Sequence, residues 1–309
     1  MRNVTLKQLR VLAAVARTGS VVGASRELNV SPPAITMQLR SIEDLAGIPL
    51  LERARDGFRP TEAGSEVLAQ IQRIEASLAD CEEVLANLRG VEGGRVNVGV
   101  TSTAKYFAPR ALAEFAEQHP RVDVRLTVGN RDDIVARLES YELDLAITGR
   151  PPKTFEVENA AFGDHPFVII GPPEHRLAKR LKLTLKDLSK ETFVLREEGS
   201  GTRSLMQELF HGAGIEPRIG MQIGSNETIK QAVMAGLGIA VISAHTVAAE
   251  INDRRLAAFN VADLPVMRTW FVVKREDKRL LPAPQAMWDF LKISGARFLP
   301  DTAHFMPPK

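Results

Sequence analysis

Between residues 67 and 88, Val67, Ile71, Ile74, Leu78, Cys81, Leu85 and Leu88 follow one another at spacings of 4, 3, 4, 3, 4 and 3. The series puts seven small or apolar side chains in one narrow line on a single uninterrupted helix. That is the repeat two helices need to wind around each other. Glu66, Gln70, Arg73, Glu75, Asp80 and Glu82 keep the other faces polar. Thr61 is a suitable N-cap, and Gly90 with Gly93-Gly94 ends the run. A helix like this could instead pack on its own domain, but the narrow seam favours a dimerising linker over residues 61–90. Cys81 reads as a small core residue on that seam rather than a reactive thiol.

On its N-terminal side the pattern is short helices. Thr5 can cap a first helix with Leu6, Leu9, Leu12, Ala13 and Ala16 facing inward, ended by Gly19. Residues 20–46 then read as two helices with a tight break. Ser20 caps the first, which carries Val22, Ala24 and Leu28, and Asn29-Val30 form the turn. Ser31 is an N-cap and Pro32 takes the first helical position, where a missing N–H costs nothing. Ile35, Leu39, Ile42 and Ala46 make one buried stripe, with Pro33, Thr36, Met37 and Arg40 opposite. This pair fits a helix-turn-helix or an ordinary αα-hairpin equally well.

The flanks decide between them. Asp56-Gly57 is a two-residue hairpin signal between short strands at about 50–54 and 58–60. Arg53, Arg55 and Arg59 surround the turn, as in a wing that touches phosphates or a minor groove. Residues 1–64 hold nine Lys and Arg against six Asp and Glu, a balance of +3, whereas the whole chain is only +2. Any affinity for nucleic acid is therefore local to this end.

From Arg95 onward, strands alternate with helices. RVNVGV, VDVRLTV and LDLAITG are strands, separated by helices over Pro109–Gln118 and Asp132–Ser140; this is a βαβαβ run and hence a parallel sheet. AAFGDHPFVIIGPP crosses into a second unit built from FVLREEGSGT, RIGMQIGS, NETIKQAVMAGL and GIAVIS. VMRTWFVVKR crosses back, and a terminal helix holds Trp288, Phe290 and Leu291. Two such units joined by crossovers form a hinged clam of the periplasmic-binding-protein kind. Ligands of open α/β sheets lie beyond the carboxyl ends of the strands, near helix N-termini. Those positions carry Thr101-Ser102-Thr103, Asn130-Arg131, Thr148-Gly149-Arg150, Ser200-Gly201-Thr202-Arg203 and Asn226-Glu227. Taken singly, the Ser and Thr residues could be mere helix caps. Several such turns with Arg131, Arg150 and Arg203 beside them fit a small anion, carboxylate or phosphate.

Other classes find little support. A length of 309 residues allows roughly two or three domains. A single Cys excludes an internal disulfide framework and fits a reducing cytoplasm. Leu9–Ala16 is too short and too Arg-flanked for a signal-peptide core, and no run is long enough to span a membrane. The six His, at 119, 165, 175, 211, 245 and 304, lack metal-ligand spacing, and His175 and His211 read as surface or core residues. Gly199-Ser200-Gly201 is neither a nucleophile elbow nor a P-loop. Glu197 and Glu198, if on a strand, face opposite sides and cannot pair. The tail after Leu299 is Pro-rich and expected to be mobile. A solute-binding protein, disfavoured by the lack of an export signal, and an α/β enzyme, disfavoured by the missing catalytic constellation, remain as alternatives. No catalytic residue, metal or cofactor is expected.

Ala24, Leu28, Ser31-Pro32-Pro33-Ala34, Gln38-Leu39-Arg40, Glu43, Gly47, Leu50-Leu51, Arg53 and Pro60-Thr61-Glu62-Ala63-Gly64 closely resemble the N-terminus of LysR-type transcriptional regulators. The resemblance implies operator contacts by Ser31, Pro32, Pro33, Thr36, Met37, Gln38 and Arg53, and Arg40 and Arg55 adjoin them. Pro32 stands where the family usually has Gln, and Met37 where it often has Arg or Lys. Neither can make a bidentate base contact, so base readout by this helix should be sparse. TSTAKYFAPRALAEF, VGNRDDIVARL and LDLAITGRPP, above all Asn130-Arg131 and Gly149-Arg150-Pro151-Pro152, are most similar to the branch controlling Calvin-cycle carbon-fixation operons. That branch implies phosphorylated or dinucleotide effectors such as ribulose bisphosphate (a sugar phosphate), phosphoenolpyruvate or NADPH. The family also implies double-stranded operator DNA, a homodimer or homotetramer and, for an activator, RNA polymerase as partners.

The expected architecture is α/β and multi-domain. A winged helix-turn-helix over 1–60 is followed by a coiled-coil linker over 61–90 and an effector domain over 91–309. Subdomain I of that effector domain covers about 95–162 and 266–298, and subdomain II about 163–265.

Overall fold

The computed structural model describes residues 1, 3–88 and 93–303. The chain divides into two units, Met1–Leu85 and Ala86–Lys309.

The first unit contains α1 (Leu6–Thr18), α2 (Val21–Leu28) and α3 (Pro32–Ala46). An antiparallel hairpin of β1 (Leu51–Ala54) and β2 (Gly57–Pro60) follows, then α4 (Glu62–Leu88). Thr5 and Gln8 form a capping box at the start of α1, and Gly19 ends it in the left-handed region. The hairpin turn is pressed against that end: a Cβ at Gly57, where φ is 129°, would lie 2.3 Å from the Gly19 carbonyl oxygen. Leu9, Val11, Leu12, Val15, Ala24, Ile35, Leu39, Ile42, Leu50 and Ile71 form the core. Two expectations change here. Leu6 is exposed, and the inner face of α1 includes Gln8, Val11, Ala14 and Val15. Gln8 earns a buried place because its amide donates to Ser41 Oγ at 2.8 Å and its carbonyl accepts from Thr5 N. Ala46 is half-buried rather than buried.

Helix α4 uses its seam in two ways. Val67 and Leu68 pack on the core and Ile71 is buried in it. Further along, Ile74 is 39% exposed, Leu85 is 52% exposed and Cys81 is exposed, against the expectation of a core residue. Among the described residues nothing covers Cys81. The Leu88 side chain and Gly90 lie outside the described residues.

The second unit is built on a seven-stranded mixed sheet. Its strands are β3 (Gly94–Thr101), β4 (Val122–Gly129), β5 (Leu145–Thr148), β6 (Val157–Gly171), β9 (Ala240–Ser243), β10 (Ala257–Ala258) and β11 (Val266–Arg275). The order is β10-β6-β11-β5-β3-β4, with β9 also on β6. Strand β3 runs parallel to β4 and β5, and β11 lies antiparallel between β5 and β6. Strand β6 is continuous over 15 residues. Its first part pairs with β11 and its last five residues, Phe167–Gly171, pair with β9 and β10. One strand therefore belongs to two lobes. In the first lobe α5 (Ala108–Gln118) and α10 (Pro282–Ser294) cover one sheet face, burying Val98, Phe107, Phe115, Trp270 and Trp288. On the other face α6 (Arg131–Glu139) buries Ile134 and Leu138. In the second lobe β7 (Thr192–Arg196) and β8 (Arg218–Ile223) pair in parallel. Around them pack α7 (Gly201–Gly212), α8 (Asn226–Met234) and α9 (Ala244–Asn252). Helix α9 was not anticipated. It starts directly at the end of β9 with Ser243 as its N-cap residue, so no loop composition marks it.

Candidate nucleic-acid interface and effector cleft

Helix α3 turns Ile35, Leu39 and Ile42 inward, which leaves Ser31, Pro32, Pro33, Met37 and Arg40 exposed and Thr36 and Gln38 half-buried. Ser31 sits at the N-cap position but makes no capping hydrogen bond. Pro33 at the second helical position has no N–H to offer, which leaves only the Ala34 N–H as a partner for such a cap. Thr36 spends its hydroxyl by donating to Pro32 O at 3.1 Å. The exposed surface of this helix is therefore Pro- and Met-rich, with Met37 61% exposed and few unspent polar groups. Glu43 ties the helix to the hairpin by accepting from Leu50 N and Leu51 N at 2.9 and 3.1 Å. On the hairpin, Arg53 is held over the Phe58 ring directly across the strands. Arg59 is paired with Asp56 at the turn. Arg53 and Arg55 are exposed and project from the first strand and the turn.

In the second unit, the ends of β3 and β5 and the N-termini of α6 and α7 open onto one cavity of about 320 Å³. That volume lies within the range of small-molecule sites. Thr101, Ser102, Thr103, Arg131, Thr148, Arg150, Ser200 and Thr202 line it, as do Gly149, Lys153, Thr154, His165, Phe167, Gly201, Ser204, Leu205, Glu208 and Arg268. The other four anticipated residues lie elsewhere. Asn130 caps α6 by accepting from Asp133 N at 2.9 Å. Arg203 turns away to Gln222 and Glu198, at 3.0 and 3.3 Å. Asn226 is buried and accepts from Arg196. Glu227 is paired with Lys230 at 2.8 Å. Glu197 and Glu198 follow β7 rather than lying on it; Glu197 pairs with Arg196 at 2.7 Å and Glu198 with Arg203.

The cavity is cationic. Arg131, Arg150, Lys153 and Arg268 line it, with Glu208 as the sole carboxylate among the described lining residues. Arg131 Nε is buried without a hydrogen-bond partner among the described residues. An unspent guanidinium N–H is a donor waiting for an acceptor. Four hydrogen bonds tie the lobes together around the cavity. Arg196 donates to Ser102 Oγ at 3.0 Å, Asp132 N donates to Gly199 O at 3.2 Å, and Glu208 accepts from Arg150 at 3.0 Å and Arg268 at 2.5 Å. Burial pushes the Glu208 carboxyl up, but Arg268 and Arg150 outweigh it and hold the group below the usual range.

Behind the cavity stands an aromatic stack. His165 lies 3.8 Å from Trp270, ring centroid to ring centroid, and Trp270 Nε1 donates to His245 Nδ1 at 3.1 Å. A Cβ at Gly149 would come within 2.8 Å of His165 Nδ1, so only glycine lets the end of β5 rest on that ring. Neither His165 nitrogen has a hydrogen-bond partner among the described residues. Burial pushes His165 well below the ordinary histidine pKa and His245 down to about 4. Both rings are neutral at pH 7. Sequence periodicity had no means of pairing them, because β6 and α9 come together only by tertiary packing. On α7, Ser204, Leu205 and Glu208 were not anticipated, although with Gly201 they recur at helical spacing from the identified N-terminus, a signal that could have found them.

A winged helix-turn-helix joined to a two-lobed α/β domain with a cationic cleft defines a ligand-binding DNA-binding regulator. The matches to known proteins agree. Residues 6–65 match the model "Bacterial regulatory helix-turn-helix protein, lysR family" and residues 89–295 match "LysR substrate binding domain". The chain belongs to the LysR family of DNA-binding transcriptional regulators, and it is a regulator rather than an enzyme. It is 51% identical over 298 residues to the HTH-type transcriptional regulator CbbR of Xanthobacter flavus, covering 96% of this chain and 90% of that one. It is 45% identical over 295 residues to the RuBisCO operon transcriptional regulator of Allochromatium vinosum, covering 96% of this chain and 98% of the relative. Among solved structures it is similar to the Synechocystis CcmR regulatory domain in complex with 2-PG. That match has 38% identity and a TM-score of 0.63, and covers 65% of this chain and 96% of the other. Among the described residues no helix is long and apolar enough to cross a membrane, and no group of three or more His, Cys, Asp or Glu could hold a metal ion.

Proposed function

We propose that this chain controls carbon-fixation genes by binding operator DNA as a homodimer and sensing a small, phosphorylated anion in the effector cleft. The observation that carries the reading is the cleft itself: four cationic side chains, several hydroxyls, two helix N-termini and a buried, unpartnered Arg131 N–H, balanced by one carboxylate. The identity to regulators named for CbbR and the RuBisCO operon supports the target, and the 2-PG complex of CcmR supports the ligand class. The exposed half of the α4 seam supports pairing through residues 74–85, with residues 61–90 as linker and 91–309 as effector domain. Two recognition helices on one coiled coil meet half-sites about one helical turn apart or a multiple of it. Ligand shifts DNA geometry only as far as it prefers one lobe arrangement over the other.

A thermal-shift titration with 2-phosphoglycolate and other phosphorylated or carboxylated metabolites tests the cleft. A ligand at 100 times its Kd adds about 2.7 kcal/mol of stability. Arg131→Ala should abolish the shift, whereas Arg203→Ala, whose guanidinium turns away from the cavity, should keep it. Loss in Arg203→Ala with retention in Arg131→Ala would overturn the assignment.

A further inference from the structure

The face of α7 that lines the cleft runs from Gly201 through Ser204 and Leu205 to Glu208. At 1.5 Å per residue, Glu208 lies roughly 10 Å along the helix from its N-terminus. The cleft is thus a trough with two different ends. At one end are the α7 N-terminus, the hydroxyls of Ser102, Ser200 and Thr202, and Arg131. At the other, Arg150 and Arg268 converge on one point, and the Glu208 carboxylate occupies it at 3.0 and 2.5 Å. Arg150 follows β5 and Arg268 lies on β11, whereas Glu208 comes from the opposite lobe. All three side chains are about one-third to one-half exposed, so water reaches these ion pairs and they are easily exchanged. An anion arriving at this end offers the two guanidiniums what Glu208 already gives them.

We propose that Arg150 and Arg268 form a second anion subsite, and that Glu208 is its resident counter-ion, displaced when a ligand brings a second anionic group about 10 Å from the first. This rests on the reading of the cleft as an anion site. A ligand with one anionic group fills the Ser/Thr end and leaves Glu208 bridging the lobes. A ligand with two replaces Glu208 and releases that bridge. Glu208 therefore sets how many charges the regulator answers to.

The test uses full-length protein and two synthetic probes of equal chain length, 1,5-pentanediol bisphosphate and pentyl phosphate, with affinities from calorimetry. Glu208→Gln should bind the bisphosphate about tenfold more tightly than wild type, the scale of two half-exposed ion pairs no longer broken. Its affinity for pentyl phosphate should change less than twofold. Arg268→Gln should lower the bisphosphate to the level of the monophosphate. Equal tightening for both probes in Glu208→Gln would mean a general charge effect. No tightening for either would mean that Glu208 is not displaced. Both results overturn the subsite and leave the anion cleft standing. Failure of wild type and both variants to bind either probe would overturn the cleft reading as well.

Discussion

Acidification should weaken the effector unit through His245, by an amount its surroundings set. His245 is 4% exposed, and its Nδ1 accepts the Trp270 indole N–H at 3.1 Å. A proton on Nδ1 would break that bond and place a charge in the core, so burial pushes the pKa down to about 4. In the unfolded chain the group titrates near the ordinary value of about 6.5. The folded pKa is the lower one, so stability is full above the unfolded value and is lost as pH falls toward the folded value. Linkage gives a loss of about 2 kcal/mol between pH 7.5 and 5, rising to about 3.4 kcal/mol below pH 4. His165, also pushed down by burial, adds in the same direction.

Both tryptophans, Trp270 and Trp288, lie in this unit, so their fluorescence during urea unfolding reports on it alone. The useful comparison is wild type against His245→Asn, whose amide oxygen can take the place of Nδ1 as acceptor without titrating. Carboxylate titrations are common to both proteins and cancel. Wild type should lose about 2 kcal/mol more than the variant between pH 7.5 and 5. A difference smaller than about 0.5 kcal/mol would refute the claim that burial holds this ring neutral.

Two further outcomes follow from the first unit. Ile74 is the first seam residue beyond the domain core, so Ile74→Asp should halve the mass by light scattering while the thermal unfolding of the winged domain persists; an unchanged mass would refute pairing through this seam. Arg53→Ala should weaken operator retention on filters and reduce the slope of log affinity against log salt by about one; an unchanged slope would remove Arg53 from the phosphate contacts.

What was legible in the sequence was whatever depends on local spacing. Capping residues, the Asp56-Gly57 turn and the α3 stripe are decided within a few residues, and they place the helix-turn-helix and wing without tertiary information. The same applies to the carboxyl ends of strands and to helix N-termini, which brought Thr101, Ser102, Thr103, Arg131, Thr148, Arg150, Ser200 and Thr202 to one cavity. What failed depends on non-local pairing. Arg203 sits one residue beyond Thr202, yet one residue is about 100° around a helix, enough to turn it to Gln222. Arg268 and His165 meet only because β11 pairs antiparallel with β6, register partners more than a hundred residues apart in the chain. Glu208 lies on the lining face of α7, but it becomes the counter-ion of Arg268 only when that pairing has delivered Arg268 to it. The hydroxyl-lined end and Arg150 are local chemistry; the meeting of Arg268 with Glu208 is topology.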